Sequence, residues 1–322
     1  MITIAGAGVA GLACALELAR CGGEVTVFEA GAAPSDNPCS WFAGGMLAPW
    51  CEGETAEDDV IRLGGGAIDW WAQVTAVHRR GTLVLAAPRD RAELTRFARR
   101  TTCHRWVDGR EIAALEPALA GRFQQAMFFE QEAHLDPRQA LIDLTRAVRS
   151  RGVEVRYATP APDHVDVDCR GIAADLADLR PVRGEMALIK APDVSITRTV
   201  RFLHPRLPLY LVPRGQGVYM IGATMVESSA TGPVTVRSLL ELLGAAFAMH
   251  PGLGEASVIE TGVGLRPAFA DNLPRLAHHE KTTHVNGFYR HGFLLAPALA
   301  GQLAEQFFPE HHHENHRKRQ ST

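Results

Sequence analysis

Near its start the chain changes hydrophobic period twice. Ile2, Thr3, Ile4 and Ala5 form a short β-branched run, and an Ala- and Leu-rich stretch with helical spacing follows over 12–20. Val25, Val27 and Phe28 then restore an extended pattern that ends on the acid Glu29. Gly22 and Gly23 stop the helix between them, glycine being the usual residue just past a helix C-terminus. The reading is strand, turn, helix, strand: one βαβ unit.

Farther along, extended patterns over 82–86, 153–157 and 165–169 predict strands, and polar-faced periodicity over 90–100 and 110–116 predicts short helices. Asp136 and Pro137 stand at cap and first helical positions for a helix running to about 150. Between 182 and 226, strands are expected over 186–190, 199–203, 209–212 and 218–222, the last two joined by the turn residues 213–217. Leu239, Leu240, Leu242, Leu243 and Phe247 mark an amphipathic helix over 235–249. A second return brings strand-like 258–265 and 284–289, then an apolar helix over 294–308.

These elements predict an α/β fold: a Rossmann-type nucleotide-binding sheet assembled discontinuously from 1–75, 131–180 and 255–310. A second, mostly antiparallel α+β unit comes from 76–130 and 181–254, to bind substrate. Residues 311–322, rich in His and Arg without an apolar face, are expected to be a disordered, solvated tail.

With 33 Lys plus Arg against 36 Asp plus Glu, the 322-residue chain carries a formal charge of −3, which argues against a nucleic-acid surface or an anionic-membrane partner. No apolar run reaches the ~20 residues of a membrane span. The start has no basic segment ahead of an apolar one, so a cytoplasmic location with reduced thiols is expected for Cys14, Cys21, Cys39, Cys51, Cys103 and Cys169. His134, His204 and His291 show no ligand spacing, and no metal site is expected.

Gly6, Gly8 and Gly11 follow a strand and open a helix, with Glu29 closing the next strand. Gly6 permits the tight turn, Gly8 lets a pyrophosphate approach the backbone, and Gly11 lets helix and strand pack. The helix start offers free N–H groups to phosphate, and Glu29 accepts ribose hydroxyls while repelling a 2′-phosphate. The signal fits FAD and NAD equally, and a single dinucleotide is expected.

Three further segments sharpen the reading: 40–49 (SWFAGGMLAP), 262–267 (GVGLRP) and 286–297 (NGFYRHGFLLAP). With the glycine turn they make the chain resemble the FAD-dependent D-amino acid oxidase superfamily, and within it the glycine oxidases of thiamine biosynthesis. The resemblance implies noncovalent FAD. Val9, Ala10, Glu29 and Ala30 match positions at the phosphates and adenosine ribose. Cys39, Ser40, Gly44, Gly45 and Met46 match the loop passing the pyrophosphate and isoalloxazine. Phe288, Tyr289, Arg290, His291, Gly292, Phe293 and Leu294 match the segment around the flavin edge. Ala161 matches a backbone contact to adenine, although the connection between Tyr157 and Val165 is shorter than the family's, and Gly171 is counted with the cofactor residues. Arg266 matches the arginine that holds the substrate carboxylate; Tyr210 and Met225 match pocket positions.

Taken alone, Arg266 also reads as a structural salt bridge, Tyr210 as a core tyrosine, Ser40 as a helix cap, and Met46 and Met225 as packing. Arg290 reads as assisting the carboxylate, touching the flavin or bracing the site. The expected activity is oxidation of a small amino acid, glycine first, with dioxygen reduced to peroxide and the imine handed to a thiazole synthase. A homo-oligomer, a tetramer on the family pattern, is also implied. The alternatives are a sarcosine, secondary-amine or D-amino acid oxidase, a dehydrogenase passing electrons to a quinone or partner protein, and a non-catalytic flavin module.

Overall fold

The computed structural model describes residues 1–36, 38–54, 58–174 and 176–310; the expected tail at 311–322 lies outside the described residues. The first strand, Ile2–Ala5, is central in a six-stranded sheet ordered Arg275–His279, Thr282–Asn286, Val167–Asp168, Ile2–Ala5, Val25–Phe28, Glu154–Arg156. Its strands are parallel except Arg275–His279, which pairs antiparallel with Thr282–Asn286. The helix Val9–Arg20 follows the first strand and buries Leu12, Ala13, Cys14, Ala15, Leu16 and Leu18 completely or nearly so. It packs between the helices Pro137–Arg149 and Gly292–Phe307, so the start, middle and end of the sequence share one core. Asp136 caps Pro137–Arg149 by accepting the N–H groups of Arg138 (2.8 Å) and Gln139 (3.3 Å).

The second sheet has nine strands and its own core. Strand Arg180–Lys190 runs through it, with Val218–Gly222 on one side, followed by Leu209–Gly215, Thr199–Phe202, Thr82–Leu85, Gln125–Phe129 and Arg105–Asp108. All of these pairs are antiparallel except Thr199–Phe202 with Thr82–Leu85. The helix Val236–Met249 covers this sheet, its Thr235 cap accepting from Ser238 N at 3.2 Å.

One boundary differs from the expectation. Strand Ser257–Ala268, grouped above with the nucleotide-binding segments, pairs antiparallel along the whole of Arg180–Lys190 in the nine-stranded sheet. Period-two patterning identifies a strand but not its partner, and here the partner lies far back in the sequence. Arg138 helps to hold this edge to the first unit. It forms a bidentate pair with Glu260 (2.9 and 2.8 Å) while its guanidinium lies 4.9 Å from the ring of Trp41 and 5.6 Å from that of Phe42. Among the described residues no helix is long and apolar enough to cross a membrane. All six cysteines are free.

Candidate active site

A cavity of about 640 Å³ runs from the glycine turn to the face of the nine-stranded sheet. At one end, Gly8, Val9 and Ala10 open into it as the start of helix Val9–Arg20. The turn is built for close approach: Gly6 has φ +97°, and a Cβ there would stand 2.8 Å from the carbonyl oxygen of Cys169, while one on Gly11 would collide with the carbonyl oxygen of Gly6. The Ser40 hydroxyl accepts from Val9 N at 3.2 Å. The Glu29 carboxylate accepts from Ala7 N (2.7 Å) and Gly31 N (3.0 Å) and stands in the cavity wall. A helix N-terminus, backbone donors and a carboxylate one strand away suit a dinucleotide's phosphates and ribose.

Of the residues expected from the sequence, Gly8, Val9, Ala10, Glu29, Cys39, Ser40, Gly44, Gly45, Met46, Gly171, Tyr210, Met225 and Arg266 line the cavity, as do Phe288, Tyr289, Arg290, Gly292, Phe293 and Leu294. Gly6 and Gly11 stand behind the turn. Ala30, Ala161 and His291 do not line the cavity. The segment after Tyr157 is drawn back to the second strand, where Ala158 N donates to Gly31 O (2.8 Å) and Thr159 N to Glu29 O (2.9 Å). The short connection therefore leaves Ala161 outside the lining. His291 is buried beside Glu52, at 3.9 Å, and burial lowers its pKa to about 4, so the ring is neutral near pH 7.

The loop through Gly44 and Gly45 is held from the opposite sheet. Arg214 donates to the carbonyls of Gly44 (2.8 Å) and Ala43 (3.3 Å). Its burial lowers its pKa to about 10, which leaves it charged. On the other wall Arg170 is clamped to Asp168 through Nε (3.1 Å) and Nη2 (2.6 Å), and Asn286 donates to Gly171 O at 2.8 Å.

At the far end stand three more arginines. Arg266, on strand Ser257–Ala268, donates from Nη1 to the Thr224 carbonyl at 2.9 Å. Its guanidinium lies against Gly184, where a Cβ would come within 2.7 Å of Cζ, Nη1 and Nη2. Burial lowers its pKa, opposed by Cys39 and reinforced by Arg290. Among the described residues no carboxylate pairs with it. Arg290 donates from Nη2 to Glu52 Oε2 at 2.8 Å and, more weakly, to the Tyr210 oxygen at 3.3 Å. The Tyr210 hydroxyl donates to Glu52 Oε1 at 2.7 Å. Burial pushes the Tyr210 pKa well up, so it keeps its proton. Met225, half exposed at the mouth, takes contacts from Tyr289 Oη (3.3 Å) and Arg290 Nη1 (3.5 Å).

Sequence reasoning missed Glu52, Arg201, Arg170, Arg214 and Gly184. Glu52 closes the short helix Pro49–Glu52 and is 3 % exposed. Burial alone would raise its pKa, but Arg290, His291, Arg201 and the Tyr210 hydroxyl hold it down to about 2. Arg201 lies between the rings of Phe97 (4.8 Å) and Tyr210 (5.0 Å) and donates to Glu54 Oε2 at 2.8 Å. Both carried a signal: an acid just after the apolar stretch 46–51, and a cation in mid-strand between Val200 and Phe202.

A family model described as FAD dependent oxidoreductase matches residues 1–306. A putative thiamine biosynthesis oxidoreductase, ThiO, of Rhizobium etli is 54% identical over 317 residues, covering 96% of this chain and 97% of its own. A glycine oxidase of Bacillus licheniformis is 26% identical over 343 residues, covering 94% and 91%. Among solved structures, glycine oxidase from Geobacillus kaustophilus superposes with TM-score 0.79 at 24% identity, over 95% of this chain and 94% of that one.

Proposed function

The chain belongs to the FAD dependent oxidoreductase family, and on that premise we propose that it oxidises small amino acids, with glycine as substrate and dioxygen as electron acceptor. One observation carries the reading: Arg266, a guanidinium in the cavity wall with a carbonyl for its hydrogen-bond partner and no carboxylate among the described residues. A half-buried cation without a counter-ion is costly, and an amino acid's carboxylate supplies the missing charge through two parallel N–H···O bonds.

The glycine turn, Glu29, the loop at Cys39 to Met46 and the segment from Phe288 to Leu294 would hold FAD, which when bound would supply the acceptor for the substrate's hydride and the route of the electron pair to dioxygen, with hydrogen peroxide as product. The protein's own part is binding, orientation and charge. Arg266 fixes the carboxylate and with it the direction of the α-carbon's C–H bond. Its positive charge disfavours the ammonium form, so the substrate's nitrogen is presented neutral, with the lone pair that imine formation requires. Gly292, Phe293 and Leu294 bring the start of helix Gly292–Phe307 to the cavity, where its partial positive charge stabilises negative charge developing nearby. The apolar side chains of Met46, Met186 and Met220 form part of the lining and help to exclude water.

The name of the Rhizobium etli relative supports a use for the product: the imine enters thiazole formation for thiamine, or hydrolyses to glyoxylate and ammonia. Mixing the FAD-loaded protein with glycine in the absence of oxygen tests the proposal, with loss of flavin absorbance expected. Full retention of the oxidised spectrum would refute it. Sarcosine and D-alanine in parallel rank the substrates, and peroxide yield on readmitting oxygen separates an oxidase from a dehydrogenase.

A further inference from the structure

Four arginines line the cavity: Arg170, Arg201, Arg266 and Arg290. Arg170 is paired with Asp168, Arg201 with Glu54 and Arg290 with Glu52, at 2.6, 2.8 and 2.8 Å. Arg266 alone among these four lacks a carboxylate in the described residues. Glu52 is unlike Glu54, which pairs with Arg201 and itself lines the cavity. It is not in the cavity lining, it sits behind Tyr210 and Arg290, and both its oxygens are engaged, Oε1 by Tyr210 and Oε2 by Arg290. Those two residues do line the cavity.

We infer that Glu52 sets the charge of the accepted substrate: by neutralising Arg290 and accepting the Tyr210 hydroxyl's hydrogen bond, it leaves Arg266 as the unpaired cation among the described lining residues and restricts the site to amines that carry a single carboxylate. The inference rests on reading Arg266 as the carboxylate-binding group. The physical reason is the low dielectric of the site. An unpaired Arg290 within reach of the ligand would bind a second carboxylate, whereas the Arg290–Glu52 pair presents almost no net charge. The Tyr210 hydroxyl, with its hydrogen committed to Glu52, presents its oxygen as an acceptor, a surface that suits an amine N–H and opposes another carboxylate. Glu52 acts through its neighbours and is therefore a positioning residue.

Equilibrium binding of anions to the oxidised, FAD-loaded enzyme tests this without turnover, since ligands beside the ring perturb the flavin absorbance. The probes are acetate and malonate. Glu52→Gln keeps the shape and removes the charge, and is expected to shift the malonate-to-acetate affinity ratio towards malonate by about tenfold or more, the worth of one charge-assisted hydrogen bond. A ratio within about threefold of the wild type would overturn the inference. Arg290→Gln, which leaves Glu52 buried without its partner, is expected to weaken acetate by about tenfold or more, and the double variant E52Q/R290Q to recover it. Failure of that recovery would also overturn the inference, and this arm stands even if Glu52→Gln alone does not fold. A wild type that shows these anion preferences but is not reduced by glycine would refute the proposed activity and leave the role of Glu52 intact. Arg266→Leu that still binds acetate would remove the premise.

Discussion

Replacing Gly184 by alanine separates folding from function. The added methyl would lie no more than 2.7 Å from Cζ, Nη1 and Nη2 of Arg266, whereas ordinary contact begins at 3.4 Å. The guanidinium must therefore retreat by about 1 Å, enough to lose roughly a hundredfold where a reacting group is positioned. At about 1.4 kcal/mol per tenfold, the barrier rises by about 3 kcal/mol. Folding is expected to change little, because what must move is the end of a flexible side chain. The lost bond to Thr224 costs about 1 kcal/mol, and replacing a strand glycine returns about 0.4–1 kcal/mol. The assay is stopped-flow reduction of the flavin by glycine without oxygen, beside thermal melting and flavin content. The expected result is a near-normal melt, full FAD and a specificity constant for reduction lowered by about a hundredfold. A folded, FAD-loaded variant within about threefold of wild type would refute the assignment of Arg266 as the carboxylate clasp.

Three other outcomes are open to measurement. Glu132 is buried, which raises its pKa from 4.5 to about 8 despite the hydrogen bond from the Cys51 N–H. The folded state therefore holds a proton that the unfolded state releases between about pH 4.5 and 8. That contribution is complete below the window and lost as pH rises through it. Glu132→Gln should gain on wild type in melting temperature steadily from pH 5 to 8, and a pH-independent difference would count against it. Glu116, fully buried, accepts from Arg198 Nε (2.8 Å), Thr197 N and Arg198 N. Glu116→Ala strands that guanidinium and should cost about 3–5 kcal/mol in urea unfolding. Gly11→Ala drives a methyl into the Gly6 carbonyl, so the purified variant is expected to lack FAD. A yellow, fully loaded Gly11→Ala protein would refute the role given to the turn.

The parts legible in the sequence were those whose determinants lie close together along the chain. The glycine turn, the Asp136–Pro137 cap and the helix Val236–Met249 each carry their instructions within a few residues. What stayed hidden depends on distant partners. Glu52 acquires its character from Tyr210 and Arg290, 158 and 238 residues away, and neither separation leaves a local pattern. Gly184 is an ordinary strand glycine until Arg266, diagonal to it on the paired strand, lies across it. The strand Ser257–Ala268 was seen, but its neighbour was not, since alternation along a strand is the same on whichever sheet it joins.

The interleaved strand order constrains how the polypeptide can be made. Ile2–Ala5 is bordered by Val25–Phe28 on one side but on the other by Val167–Asp168, which in turn waits for Thr282–Asn286. A nascent chain leaving the ribosome at about 5–20 residues per second thus carries bare strand edges for on the order of tens of seconds. Until the last hairpin emerges, those edges can pair with other chains. Premature termination before Thr282–Asn286 is made would leave the barren edge permanently, so such products should aggregate and demand chaperones rather than survive as half-active fragments.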